Sequence, residues 1–155
     1  MKKQMEHREL HRDYTATYNS GILQGQAYKT LQFFLTRTLL PYNLSIPEWK
    51  LLGQLYDYKV LRVADLASFL GYDPPLVTAL IDSLEKKKLL RRKIHKHDRR
   101  VKMIIPTQKT INLIPTIEPE VRKTISSLLQ PITSEELRIY TGVLENIVMR
   151  GKELL

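Results

Sequence analysis

Residues 63–102 read VADLASFLGYDPPLVTALIDSLEKKKLLRRKIHKHDRRVK, and this stretch decides the fold. In its first half, small and apolar residues have the spacing of two short helices joined by a sharp turn. Gly71 supplies the positive φ of the turn, Asp73 can cap the second helix, and Pro74 suits the first helical position. The second half contains two short β-prone runs on either side of a polar tip. The stretch therefore predicts a helix-turn-helix followed by a β-hairpin.

The net charge of the protein lies in the second half of this stretch. Residues 86–102 hold ten Lys or Arg and one acid, Asp98, which gives this segment a formal charge of +9. The whole chain has 25 basic and 16 acidic residues and the same net charge of +9, so the rest of the chain sums to zero. Such a localised charge favours a polyanionic partner, nucleic acid before an anionic membrane surface.

Composition restricts the class of protein. The chain has 155 residues, 43% of them hydrophobic, which suits about one domain with a substantial core. It has no cysteine, which excludes disulfides, thiolate metal sites and cysteine nucleophiles and fits a reducing compartment. There is no apolar signal-peptide region, and no apolar run approaches the roughly 18 residues of a membrane span. We therefore expect a cytoplasmic protein without a membrane partner.

Helices are predicted on the N-terminal side of the deciding stretch. Apolar residues at three- and four-residue steps predict a helix from about Ile22 to Leu40. We expect the polar residues 1–20 before it to fray, or to add a helical turn that packs on a partner. Ser45 and Glu48 have the spacing of a capping box, so a second helix is predicted to start there.

Two more helices are predicted after the hairpin. The first carries a long apolar stripe but contains Pro115 and Pro119, so we expect a break or a kink there. Thr133 and Glu136 have the spacing of a second capping box, and the last helix runs from there to Gly151. The predicted fold is therefore mainly α with a small β-hairpin wing.

The second helix of the helix-turn-helix, predicted from Pro74 to about Lys87, has an unusual outer face. This face has no Arg, Lys, Asn or Gln to pair with base edges. Thr78 and Ala79 can contact thymine methyl groups, whereas Asp82 would repel phosphate unless a nearby cation pairs with it. We expect the helix to lie in a major groove while much of the affinity comes from elsewhere. The face consists of Pro75, Leu76, Thr78, Ala79, Asp82 and Ser83.

The hairpin is predicted to supply that affinity. Its strands are expected at Leu89–Ile94 and Val101–Pro106, with Arg99 and Arg100 at a tip that suits a narrow minor groove. Asp98 is interpreted as the acceptor that holds an arginine in position, and the alternative is a merely solvated basic hairpin. The predicted DNA contacts are Pro75, Leu76, Thr78, Ala79, Ser83, Lys86, Arg92, Lys96, Asp98, Arg99 and Arg100.

The sequence offers little for catalysis. The four histidines form two pairs, His7 with His11 and His95 with His97, and a metal site at either is the alternative to simple exposure. Neither pair has an evident third ligand. No Ser/His/Asp, paired-carboxylate or phosphate-loop constellation is present. We therefore predict no enzyme activity, no cofactor and no metal.

The order of these elements resembles the MarR family of winged-helix transcriptional regulators over about residues 22–150. The most specific part is LEKKKLLRR at residues 84–92, followed by Asp98-Arg99-Arg100 and Pro106-Thr107. The segments LSIPEW at 44–49 and ITSEEL at 132–137 are also similar. The resemblance implies one compact domain with three regions. These are an N-terminal dimerisation helix region at 1–44, a winged helix-turn-helix lobe at 45–108 and C-terminal dimerisation helices at 109–155.

The resemblance also implies a function. Family members are homodimers, so we expect a repressor that presents two recognition helices to successive major grooves of a palindrome. By position, Asp98 and Arg100 match the wing pair in which the acid orients a minor-groove arginine. The resemblance further implies release from DNA by a small aromatic or anionic effector, bound between the dimer helices and the DNA-binding lobe. Tyr18, Tyr28, Tyr42 and Trp49 are candidates for this cleft, and each is equally a candidate for the core.

Four positions depart from the family pattern. Lys88 and Thr110 stand where glycine is usual, Arg62 where a polar N-cap is usual, and Ala79 where many members have arginine. The absence of cysteine excludes the thiol-oxidation branch of the family. Because Ala79 weakens base readout, an alternative function stays open. It is a winged-helix module for protein contact or non-specific nucleic-acid binding, without an operator of its own.

Overall fold

The computed structural model describes residues 2–94 and 102–154, with side chains from residue 16 onward. Within these ranges the predicted fold class, mainly α with a small hairpin wing, is confirmed. The three strands form one antiparallel sheet in the order β1-β3-β2. The elements are α1 (Lys2–Leu39), α2 (Ile46–Tyr58), β1 (Leu61–Arg62), α3 (Val63–Leu70), α4 (Pro74–Lys86), β2 (Leu90–Ile94), β3 (Lys102–Pro106), α5 (Gln108–Leu129) and α6 (Ser134–Glu153). A 3₁₀ turn at Leu40–Tyr42 follows α1.

The first helix is much longer than predicted. It is continuous from Lys2, so the expectation that it starts near Ile22 and that residues 1–20 fray or add only a turn is wrong. Residues 2–20 contain no proline or glycine, and nine of the eleven residues at 2–12 are Lys, Glu, Arg, Gln, Met or Leu. These residues have high intrinsic helix propensity, and such a segment continues a helix even without an apolar stripe.

The predicted starts of α2, α4 and α6 are confirmed. The Ser45 hydroxyl accepts from the backbone N–H of Glu48 at 3.3 Å, and Glu48 Oε2 accepts from the backbone N–H of Ser45 at 2.8 Å. Asp73 Oδ1 accepts from the backbone N–H of Leu76 at 2.8 Å. A capping box also starts α6. The turn between α3 and α4 is made by Gly71, whose φ of +64° is the left-handed conformation expected there.

Helix α5 passes through both of its prolines without a break. A break at Pro115 or Pro119 was therefore a wrong prediction. The helix packs against α1 and α2 and buries Ile117 and Val121, and the hydroxyl groups of Thr38 and Thr124 lie 2.8 Å apart between α1 and α5. This packing on two neighbours outweighs the backbone hydrogen bonds that each proline removes.

The sheet contains a strand that the sequence did not predict. Strand β1 pairs with β3, so that Leu61 lies opposite Ile104. Ile104 is fully buried and lies between Leu61 on one side and Arg92 of β2 on the other. The core continues from this sheet into the inner faces of α2, α4 and α5. Two residues of β1 are too few to show strand periodicity, which explains why it was missed.

The turn from α4 into β2 depends on Lys88. The backbone N–H of Leu89 donates to the carbonyl of Leu84, and that of Lys88 donates to Glu85, each at 2.9 Å. This is a Schellman motif, and its left-handed position is occupied by Lys88 with a φ of +59°. Lys88 therefore replaces the glycine that is usual in the family, at a position whose left-handed backbone conformation favours glycine.

Replacing Lys88 by glycine is expected to stabilise the protein by about 1 kcal/mol. A non-glycine residue in the left-handed region costs about 1–3 kcal/mol, and the greater freedom of glycine in the unfolded chain offsets part of the gain. Urea denaturation of both proteins measures the difference. In the control Lys50→Gly, glycine enters the right-handed interior of α2 and should cost about 1 kcal/mol. A stability loss in Lys88→Gly would contradict the prediction.

Thr110 also stands where the family usually has glycine. It is fully buried, and its side chain forms a hydrogen bond. Its hydroxyl donates to the carbonyl of Leu89. Thr107 Oγ1 donates to the carbonyl of Lys88 at 2.9 Å, and Lys109 Nζ donates to that of Lys87 at 3.2 Å. The first turn of α5 therefore satisfies the carbonyl groups left open at the α4–β2 turn. These bonds fix the base of the wing against α5.

Candidate nucleic-acid interface

The outer face of α4 is exposed as predicted. Pro75, Leu76, Thr78, Ala79 and Asp82 are exposed. We call these five residues the reading stripe. The opposite face of α4 is buried in the core and consists of Val77, Leu80, Ile81 and Leu84.

Ser83 belongs to the interior of the lobe rather than to the reading stripe. It is half-buried, and its hydroxyl donates to Glu48 Oε1 at 2.7 Å. Ser83 was a predicted DNA contact, but this bond to a buried carboxylate favours a structural role. The hydrogen bond between Ser83 and Glu48 could not be predicted from local sequence patterns, because Glu48 lies 35 positions earlier in the chain.

Glu48 is the centre of a polar cluster between α2 and α4. It is only 4% exposed. Lys87 Nζ donates to both of its oxygens, at 2.8 and 2.9 Å, and to the carbonyl of Asn43 at 2.7 Å. Burial alone would raise the pKa of Glu48, but hydrogen bonds from Lys87, Ser45 and Ser83 together lower it below its ordinary value. The cluster ties the C-terminal end of α4 to the start of α2.

The lowered pKa of Glu48 predicts acid sensitivity. Its contribution to stability is present above its ordinary pKa of 4.5 and is lost as the pH falls through the lower folded value. Glu48→Gln should cost about 1–3 kcal/mol at pH 7, because Lys87 loses a charged acceptor, and the difference from wild type should shrink toward pH 3. Urea denaturation across this range measures it. The exposed control Glu120→Gln should change stability by less than about 0.5 kcal/mol at neutral pH. A constant Glu48→Gln difference would contradict the linkage.

Arg92, another predicted DNA contact, is paired within the chain. Its guanidinium donates through Nη1 to Glu85 and through Nη2 to Asp82, and its backbone N–H donates to Glu85 Oε1 at 3.2 Å. Burial alone would lower the pKa of Arg92, but the two carboxylates raise it above its ordinary value. Arg92 is therefore the cation that Asp82 was expected to need. Its charge holds β2 against α4, which argues against the predicted DNA contact.

Other cations surround the reading stripe and the wing strands. Lys86 at the end of α4, Arg91 and Lys93 on β2 and Lys102 on β3 are all exposed. Strands β2 and β3 pair up to Ile94 opposite Lys102, so their ends lead into the tip of the wing from adjacent positions. The predicted tip residues lie outside the described residues. They are His95, Lys96, His97, Asp98, Arg99 and Arg100.

The four residues predicted to line a ligand cleft differ in exposure. Tyr18 and Tyr28 are exposed on α1, whereas Tyr42 and Trp49 are half-buried against the core. A separate groove between α2 and α5 includes none of the four. It is lined by Gly53, Tyr56, Asp57, Ile114, Pro115, Glu118, Pro119, Arg122, Lys123 and Ser126.

The described side chains do not form a metal site, since no three His, Cys, Asp or Glu among them are grouped to hold an ion. The side chains of His7 and His11 lie outside the described residues. None of the helices described here has the length and apolarity to cross a bilayer.

Two helices leave apolar side chains exposed in the part of the chain that the structure describes. Helix α6 buries none of its residues, and Tyr140, Val143 and Ile147 on one side of it are exposed. On α1, Ile22 and Phe33 are likewise exposed. Apolar stripes of this length on helices are typical of surfaces that another chain covers.

The fold and this arrangement define a winged helix-turn-helix protein. Residues 44–102 match the model of the MarR family. The chain is 30% identical over 112 residues to the uncharacterised HTH-type transcriptional regulator YwaE of Bacillus subtilis, covering 72% of this chain and 66% of that protein. It is 25% identical over 132 residues to the HTH-type transcriptional regulator MhqR of the same organism, covering 85% and 91%. The chain belongs to the MarR family.

Solved structures show the same fold. A mutant MarR from Escherichia coli complexed with operator DNA superposes with a TM-score of 0.77 at 18% identity, covering 82% of this chain and 91% of that chain. BpsR of Bordetella bronchiseptica, whose DNA binding is regulated by 6-hydroxynicotinic acid, superposes with a TM-score of 0.77 at 20% identity, covering 83% and 91%. At these identities the superpositions establish the fold alone.

Proposed function

We propose that this protein is a homodimeric, sequence-specific DNA-binding repressor, with α4 in the major groove and the wing in the minor groove. The observation that carries the proposal is the position of the charge. The whole net charge of +9 belongs to residues 86–102, which in sequence run from the last residue of α4 through β2 to the first residue of β3. A positive segment beside an exposed helix of this kind is the electrostatic footprint of a duplex-binding surface. In this role the protein is a cytoplasmic regulator rather than an enzyme.

The homodimer is supported by the uncovered apolar surfaces of α1 and α6. A second copy would cover them by a two-fold interface, in which the same patch contributes from each chain. The regions 1–44 and 109–155 then serve dimerisation and 45–108 serves DNA binding. Two-fold symmetry would place two copies of α4 on successive turns of a palindromic site.

DNA binding is supported by the family and by the E. coli MarR fold, which was solved with operator DNA. Release by a small organic ligand is part of the proposal, and BpsR is regulated by an aromatic acid of that kind. The α2–α5 groove offers Tyr56 and Arg122 to an aromatic or anionic molecule. Such a ligand would act only through a difference in affinity between the DNA-competent and DNA-incompetent states.

The test is selection from a library of random duplexes with the purified protein. A palindromic sequence should be enriched, and log affinity for it should fall with log salt by about 0.9 for each phosphate neutralised. Enrichment of no palindrome would overturn the proposal. That outcome would favour the alternative of a module without its own operator, which the neutral reading stripe of α4 supports.

A further inference from the structure

The reading stripe of α4 offers hydrogen-bond acceptors but no spare side-chain donor. Pro75, Leu76 and Ala79 have no polar side-chain group. Thr78 donates its hydroxyl proton to the carbonyl of Pro74 at 3.0 Å, so that only its oxygen lone pairs remain for another partner. Asp82 has an ionised carboxylate in an ion pair, and such a group only accepts.

Asp82 is held in place while remaining accessible. Arg92 Nη2 donates to Oδ1, and the side chain of Asp82 is still 52% exposed. Among the described residues, no donor reaches Oδ2. Arg92 is itself 27% exposed and is fixed from the other side by Glu85, so the carboxylate of Asp82 is oriented by a partner that is anchored to the wing.

Asp82 also lies in a row of α4 residues whose spacing suits contact with base edges. Pro75, Thr78, Ala79 and Asp82 have the spacing i, i+3, i+4 and i+7, which puts them in one row on α4. DNA-reading helices of homeodomain type contact base edges through residues at this spacing. A helix docked by this row brings Asp82 to the groove floor about two turns after Pro75.

We propose that Asp82 reads DNA sequence by accepting a hydrogen bond from a base amine in the major groove, N4 of cytosine or N6 of adenine. Arg92 acts as the positioning residue that holds the carboxylate. Both amines are donors, whereas guanine presents only the acceptors O6 and N7, which this stripe has no donor to meet. The proposal rests on the proposed function, and it assigns base selection to an acid in a reading stripe that lacks Arg, Lys, Asn and Gln.

The ion pair between Arg92 and Asp82 also reduces the repulsion between the Asp82 carboxylate and DNA phosphates. An unpaired carboxylate would be repelled by the phosphates on both sides of the groove. Arg92 offsets the charge of Asp82, and the exposed Lys86 lies one helical turn further on. Asp82 can accept a hydrogen bond from a base amine at Oδ2 while Arg92 remains bonded to Oδ1.

The experiment repeats the duplex selection with wild type, Asp82→Asn and Asp73→Asn. Wild type should prefer cytosine or adenine at one position of each half-site by about tenfold or more. Asp82→Asn should lose or change that preference at this position alone, because an amide both donates and accepts. Asp73→Asn removes the same charge at the N-cap of α4, outside the reading stripe, keeps a capping side chain and should keep the preference. Circular dichroism confirms that each variant is folded.

A second measurement identifies the amine. The selected duplex is made with the preferred cytosine replaced by its analogue without N4, or the preferred adenine by its analogue without N6. Wild type should lose about tenfold in affinity for the analogue, and Asp82→Asn should lose less than about twofold. Arg92→Gln should weaken the same preference without changing the salt dependence, whereas loss of a phosphate contact would lower the salt slope by about one.

The outcomes separate the two proposals. If wild type enriches a palindrome and Asp82→Asn enriches the identical sequence, Asp82 does not read a base and the proposed function stands. Equal loss by wild type and Asp82→Asn on the analogue would overturn the assignment in the same way. If wild type enriches no palindrome, both proposals fail together.

Discussion

Arg100→Ala is expected to lose site-specific DNA binding by about 2–6 kcal/mol, which is roughly 30-fold to more than 10⁴-fold in Kd, without unfolding the protein. The upper end is reached because a two-fold dimer loses one arginine from each of its two wings. A guanidinium in a narrow minor groove lies where the negative potential of DNA is strongest.

One cation near the predicted DNA surface is already paired within the chain. Arg92, which the sequence also predicted to contact DNA, is paired with Asp82 and Glu85. The paired strands β2 and β3 end at Ile94 and Lys102, and Arg100 belongs to the sequence between these two residues. The role of Arg100 therefore stays a prediction from the sequence.

Fluorescence anisotropy with the selected duplex, at several salt concentrations, measures the effect. The matched control is Lys93→Ala, which removes an exposed cation from the body of β2. It should weaken binding to all duplexes alike and lower the salt slope by about one. Arg100→Ala should instead reduce the preference for the selected site. Equal site affinity of Arg100→Ala and wild type would show that the wing assignment is wrong.

Features that depend on a few adjacent residues could be predicted from the sequence. The capping boxes at Ser45 and Thr133, the cap at Asp73 and the left-handed Gly71 are all as expected. Each is decided by side chains within three or four positions of the backbone groups that they satisfy. Local chemistry therefore located the helix-turn-helix and most of the helix boundaries.

Features that depend on distant contacts were missed. Strand β1 exists because Leu61 pairs with Ile104, more than 40 positions later. Helix α5 continues through Pro115 because the other side of the helix packs against α1 and α2. The same reason separates the two predicted contacts Ser83 and Arg92 from the reading stripe, since their partners become neighbours only in the folded lobe. Periodicity indicates that a polar side chain lies on the exposed face of an element. It does not show which carboxylate that side chain contacts in the folded protein.

Ile147→Glu is expected to raise the dimer dissociation constant by at least about a hundredfold. Ile147 is 52% exposed in the single chain and lies on the uncovered side of α6 with Tyr140 and Val143. If a second chain covers this stripe, the new carboxylate is buried without a partner, at a cost of several kcal/mol for each copy. In a two-fold interface the same charge would be introduced twice, and each copy would also repel the other.

Sedimentation equilibrium over a range of protein concentrations measures the dissociation constant. Thr141→Glu is the matched control, because it adds the same charge to α6 on the side that carries Glu145. That variant should stay dimeric. Ile147→Glu should also lose site-specific binding, since one lobe meets only one half-site and loses the additive energy of the second. A variant that is monomeric yet binds the palindrome as tightly as wild type would show that the two-fold arrangement is wrong, whereas an unchanged dimer would place the interface elsewhere than on α6.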